Sequence, residues 1–133
     1  MNEDAVRLWI RRAESDLKIG IDELATDKPV TDAICFHMQQ CCEKYLKAFL
    51  IFNGEEYPRT HDIALLVGGC AQIDPEFHTQ IDWGVHTLTK YAVGVRCDEE
   101  IFPSINETKQ ALELAERVIS FVLKKLRDRG FEA

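Results

Sequence analysis

Lys44 and Lys47 stand three residues apart in one helical segment, and Pro58-Arg59-Thr60-His61 opens another segment shortly after it. Side chains three apart share a helix face, and the start of a helix presents unpaired N–H groups to an anion. With Arg96 further along, Lys44, Lys47, Arg59, His61 and Arg96 form a set able to converge on one phosphate. A plainer arrangement pairs Lys47 with Glu43 one turn back, and Arg59 and Arg96 with surface acids.

Other chemistries have weaker support. His37 and Cys41 are four apart on one helical face. Zinc sites need three or four ligands, and no second His/Cys pair at ligand spacing occurs, so both are expected to be buried and no metal is expected. Cys70 and Cys97 are possible thiolates, but no base is placed beside either by sequence. Glu99 and Glu100 are adjacent in a loop, which is poor support for acid–base work. Neither a P-loop pattern nor GxGxxG is present.

The elements that position these residues are helical throughout. Val6, Ile10, Ala13, Leu17, Ile21 and Leu24 step by three or four and predict a first helix from about Asp4 to Leu24. Pro29 follows its end. A second helix is expected from Thr31 to Phe52, with Ile34, Met38, Cys41, Tyr45, Phe49 and Phe52 on its main apolar face. Cys42, Leu46, Leu50 and Ile51 widen that face beyond a stripe, which suits a central helix or one shared with a partner subunit. Gln39, Gln40, Glu43, Lys44 and Lys47 make its polar face. A short helix is expected from His61 to about Cys70, with Thr60 as N-cap and Asp62 in the first turn. Asp74-Pro75-Glu76 predicts the start of a fourth helix, whose stripe runs from Phe77 to Val95. A loop follows from Arg96 to Pro103. Ser104 and Glu107 form a capping box ahead of the last helix, which Gly130 stops.

The expectation is one all-α domain over residues 1–133, an up-and-down bundle of four long helices plus one short one. The composition agrees. Of the 133 residues 46% are hydrophobic and 29% charged, as in ordinary globular domains. No unbroken apolar run exceeds five residues, far short of the roughly 20 that span a bilayer. No basic, apolar leader precedes the first helix, so the expected compartment is the cytosol. Five cysteines, two of them adjacent and none in a CxxC pair, suit reduced thiols better than a disulfide framework. A net charge of −7 disfavours a general nucleic-acid coat, although a local basic pocket is compatible with it.

Several segments resemble one family. Trp9, Ala13 and Asp16-Leu17 form a W-x3-A-x2-D-L opening. Phe36 to Ala48 resembles the F-H-x-Q-Q-x-x-E-K-x-x-K-A core of HEPN domains, and Pro58-Arg59-Thr60-His61-Asp62 with Leu65-Leu66 resembles their P-R-T-H-D-x-x-L-L step. Tyr91 and Arg96 are similar to a stretch in which a Tyr leads to an R-Y-P-D loop. There are departures: Cys41 stands where the family usually has Ala, and the loop reads Arg96-Cys97-Asp98-Glu99.

The resemblance implies a HEPN-like bundle that forms a homodimer. HEPN ribonucleases carry R-x4-6-H, and none of the residues five to seven places before His37, His61, His78 or His86 is an arginine. The metal-independent ribonuclease therefore lacks its motif, and the chain is expected to have no catalytic residues and no cofactor. The remaining branch implies a nucleotide- or phosphate-binding accessory of a minimal nucleotidyltransferase on a separate chain, often in a toxin–antitoxin pair. Lys44, Lys47, Arg59 and Arg96 would then neutralise phosphate beside His61. Thr60 would cap the third helix so that its start faces the anion, and Gln39 and Gln40 would hydrogen-bond a base or ribose or line the helix junction. The rival readings are a ribonuclease with another active site, and a dimeric interaction module without a ligand.

Overall fold

The computed structural model describes residues 2–93 and 102–132. Helix α1 spans Glu3–Leu24, α2 Thr31–Phe52, α3 Ile63–Ile73 and α6 Ile105–Asp128. Between α3 and α6 lie a 3-10 turn at Pro75–His78, α4 at Thr79–Asp82, a second 3-10 turn at Val85–Leu88, and α5 at Thr89–Val93. All regular structure among the described residues is helical.

The apolar periodicity of the sequence locates the core. Val6, Ile10 and Ala13 of α1 and Ile34, Met38 and Cys41 of α2 belong to one core, and all are buried. At Gly20 the tip of the Met38 side chain occupies the space that a Cβ would fill. On the other side α6 contributes Ala111, Ala115, Val118, Val122 and Leu126. Helix α2 packs against α1, α3, α5 and α6, so its broad apolar face is covered by its own chain. That breadth is explained by a central position and needs no second subunit.

The segment expected as one long fourth helix is the main difference. Gly84 has φ +82, a left-handed conformation that a continuous helix cannot contain. Its N–H closes onto Ile81 O at 3.0 Å, and the chain restarts from it with Thr87 Oγ1 donating to Gly84 O at 2.6 Å. Phe77, Val85 and Leu88 are nevertheless buried. Ile81 and Ala92 of the expected stripe are partly buried and Val95 lies outside the described residues, so the stripe marked three inward-facing residues across a broken backbone.

Helix ends follow local chemistry. Ser104 Oγ accepts from Glu107 N at 3.1 Å while Glu107 Oε1 accepts from Ser104 N at 3.3 Å, the expected capping box. At α3 the cap is Asp62 rather than Thr60. Asp62 Oδ1 accepts from Ala64 N at 2.9 Å, and Thr60 Oγ1 accepts from Asp62 N at 3.0 Å. The helix thus starts two residues later than expected.

Candidate functional site

Buried charge is concentrated along the seam where α2 meets α1 and the 57–62 loop. Asp16 projects from the inner stripe of α1, its side chain 9% exposed. Its Oδ1 lies 2.8 Å from His37 Nδ1, and its Oδ2 accepts from Lys44 Nζ at 2.5 Å. Beside this pair on α2, Glu43 is 4% exposed and Lys47 8% exposed. Lys47 Nζ is 3.3 Å from Glu43 Oε2, while His61 Nδ1 is 2.7 Å from Glu43 Oε1. His61 itself is 60% exposed, so Glu43 links the interior to the surface.

The loop and α1 close over this second cluster. Trp9 and Tyr57 pack edge to face at 5.3 Å, and the Lys47 ammonium lies 5.7 Å from the Trp9 ring and 5.1 Å from that of Tyr57. Both rings favour a cation over their faces. Gln39 Nε2 donates to His61 O at 3.0 Å and Gln40 Nε2 donates to Gln39 Oε1 at 2.6 Å, fixing the loop to α2. On the expected polar face of α2, the Gln39, Glu43 and Lys47 side chains are buried.

The residues singled out by sequence thus do not all come together. Gln39, Gln40, Lys47 and His61 come together around Glu43. Lys44 belongs to the neighbouring cluster with Asp16. Arg59 is exposed and lines a cleft of about 410 Å³ with Ile51, Glu55, Glu56 and Tyr57. Arg96 lies outside the described residues. Thr60 shapes the loop but does not cap α3. Nor does the start of α3 face an anion: its first N–H groups are taken by Asp62, which holds Ala64 N, and by Thr89 Oγ1, which accepts from Ile63 N at 3.1 Å. A carboxylate already occupies that end of the helix dipole.

Sequence reasoning gave no role to Asp16, Trp9 or Tyr57. The signal available was an acid and an indole on the apolar stripe of α1, where neither side chain can be left without a partner.

The other candidates are structural. Burial pushes the Cys41 thiol up to about 12, with the Asp16 charge adding to it, and pushes the Cys70 thiol well above its usual value. Cys70 Sγ donates to Leu46 O at 3.5 Å. Such thiols are poor nucleophiles at neutral pH. His37 is held by Asp16, and Cys41 is fully buried. Cys97 lies outside the described residues.

Comparison with known proteins places this arrangement. The HEPN domain model matches residues 6–126. The chain belongs to the HEPN domain family. The crystal structure of an archaeal HEPN homologue superposes with a TM-score of 0.71 at 24% identity, covering 91% of this chain and 97% of that one. At that identity the likeness establishes the shared HEPN fold. No curated protein matches the sequence. No helix among the described residues is long and apolar enough to cross a membrane.

Proposed function

We propose that this HEPN protein binds a nucleotide or another phosphate-bearing group without transforming it. It would act as a homodimeric accessory to a minimal nucleotidyltransferase on a separate chain, in the manner of a toxin–antitoxin pair. The observation that carries this reading is the polar strip of α2 from His37 to Lys47, held by buried ion pairs in a small helical bundle. Apolar side chains of similar volume would often stabilise such a position as well or better. Arg59 and His61, at the surface beside the strip, supply groups that an anion can reach. The absence of R-x4-6-H in the sequence disfavours a ribonuclease of the usual family design.

A specific observation favours a second reading, the ligand-free interaction module. Asp16 neutralises Lys44 and Glu43 neutralises Lys47, so neither lysine is an uncompensated cation. Calorimetric titration of ATP at low salt separates the two readings. Saturable binding, weakened about tenfold by Arg59→Ala, is expected for the loss of one charge-assisted contact. Absence of heat up to about 1 mM ATP, a level that would reveal even weak binding, overturns the nucleotide reading and leaves the module. Arg59 is the residue to change because it is exposed, whereas Lys47→Ala would strand Glu43 and confound binding with unfolding.

A further inference from the structure

Because Lys44 and Lys47 are committed to carboxylates, the cations able to receive an anion at the strip must come from elsewhere. Arg59 is one: it is exposed and forms no ion pair among the described residues. A second lies on α1. Arg12 follows Trp9 by three residues and precedes Asp16 by four, so the three share one side of the helix. Trp9 and Asp16 are both fixed against the strip, the first beside Lys47 and the second on Lys44. Arg12 stands between these anchors along α1, and its side chain is exposed. It too forms no ion pair among the described residues, in a protein of net charge −7.

We infer that Arg12 is an anion-binding residue at the α1 edge of the strip, facing the polyphosphate of a nucleotide together with Arg59 from the loop edge. The inference rests on the nucleotide reading above and identifies which side chains would carry it. Lys44 and Lys47 compensate the charges of Asp16 and Glu43, so the strip presents no uncompensated carboxylate to an incoming phosphate. The arginines at the rim supply the attraction. Guanidinium suits this role, because its planar fork engages phosphate oxygens in pairs and it is weakly hydrated. Two separated arginines favour a diphosphate or triphosphate over a single phosphate.

Arg11 provides an internal control. It is also exposed on α1, without an ion pair among the described residues, and it points about 100° further round the helix, away from Trp9 and Asp16. ATP and inorganic pyrophosphate would be titrated into the wild-type protein, Arg12→Ala and Arg11→Ala, with circular dichroism confirming that each variant is folded. The expected result is about tenfold weaker binding of both probes by Arg12→Ala, as for one lost charge-assisted contact, and less than about twofold change for Arg11→Ala. If wild type binds and the two variants weaken binding equally, Arg12 has no special place and this inference fails alone. If wild type binds neither probe, both the nucleotide reading and this inference fail.

Discussion

The α1–α2 seam and the opposite part of the bundle, where α6 meets the 3-10 turn at Pro75–His78, use the same ingredients in opposite order. Both combine lysine, carboxylates and aromatic rings. In the seam the charges lie inside: Glu43 and Lys47 are buried and Trp9 and Tyr57 close over them. On the other face of α2 the rings lie inside. Phe77 packs 4.5 Å from Phe49 and 4.9 Å from Phe121, with Trp83 edge-on to Phe121 at 5.5 Å. There the cations form a rim. Lys125 lies 5.5 Å from the Phe121 ring and Arg117 4.2 Å from the Trp83 ring, and Lys125 reaches Asp74 at 2.7 Å and Glu76 at 3.0 Å. At this rim Glu76, 71% exposed, keeps most of its hydration, and Lys125 has two carboxylate partners, so losing one of them costs little. A seam charge depends on its partner entirely.

The largest effect should therefore follow from separating a seam pair. Glu43→Ala leaves Lys47 buried without a carboxylate and deprives His61 and Gln39 of their shared acceptor. Urea unfolding is expected to show a loss of about 3–5 kcal/mol. Replacing both partners, Glu43→Leu with Lys47→Leu, should recover most of that loss, since a buried pair exchanged for apolar groups is often neutral or stabilising. A double variant no more stable than Glu43→Ala would mean that shape, rather than unpaired charge, governs the seam.

A smaller effect is expected at Gly84, where the aromatic end depends on a backbone break rather than on charge. At φ +82 any Cβ is strained, so Gly84→Ala should cost about 1–2 kcal/mol and lower Tm. An unchanged Tm would show that the turn can relax, and that Trp83 and Val85 keep their places without it.

Much of this organisation was legible in the residues. The stripes of α1 and α2 gave two helices and most of the buried face of α2, because apolar spacing near 3.6 has one simple solution over twenty residues. In α1 the inward face holds Val6, Ile10 and Ala13 as expected but then Asp16 and Gly20, while Ile21 is exposed. The Ser104 capping box was readable because both partners sit at a fixed offset. The break at Gly84 was not, since a 3-10 turn preserves inward spacing at three and a lone glycine does not declare its φ. Asp62 and Thr60 are both good caps, and only the Asp62 contact to Ala64 N decided between them. The candidate site was half readable. Helix two declared a polar face through Gln39, Glu43, Lys44 and Lys47. What lies over that face comes from α1 and from the 57–62 loop, through contacts distant in sequence that no local pattern encodes. Asp16, Trp9 and Tyr57 were therefore given no role, and the burial of Gln39, Glu43 and Lys47 on the polar face was not legible.

The finest test of the contrast is the pH dependence of the rim. The hydrogen bond from Lys125 holds the Asp74 carboxyl below the ordinary carboxylate range, against partial burial that pushes the other way, and the Glu76 N–H adds to the lowering. A carboxyl with a depressed folded pKa contributes stability at pH values above its unfolded pKa, about 3.9, and loses that contribution as the pH falls through the folded value. Asp74→Asn retains an oxygen for the Glu76 N–H, which donates at 3.1 Å, and replaces the charged oxygen that faces Lys125 with an amide NH2. Urea unfolding from pH 7 to pH 2 should show the variant less stable at neutral pH and the gap closing below about pH 4. The gap should be smaller than any other effect discussed, because Lys125 keeps Glu76 as a partner. A gap that persists unchanged at pH 2 would trace to packing rather than to charge. A gap at pH 7 as large as that of Glu43→Ala would erase the distinction between rim and seam.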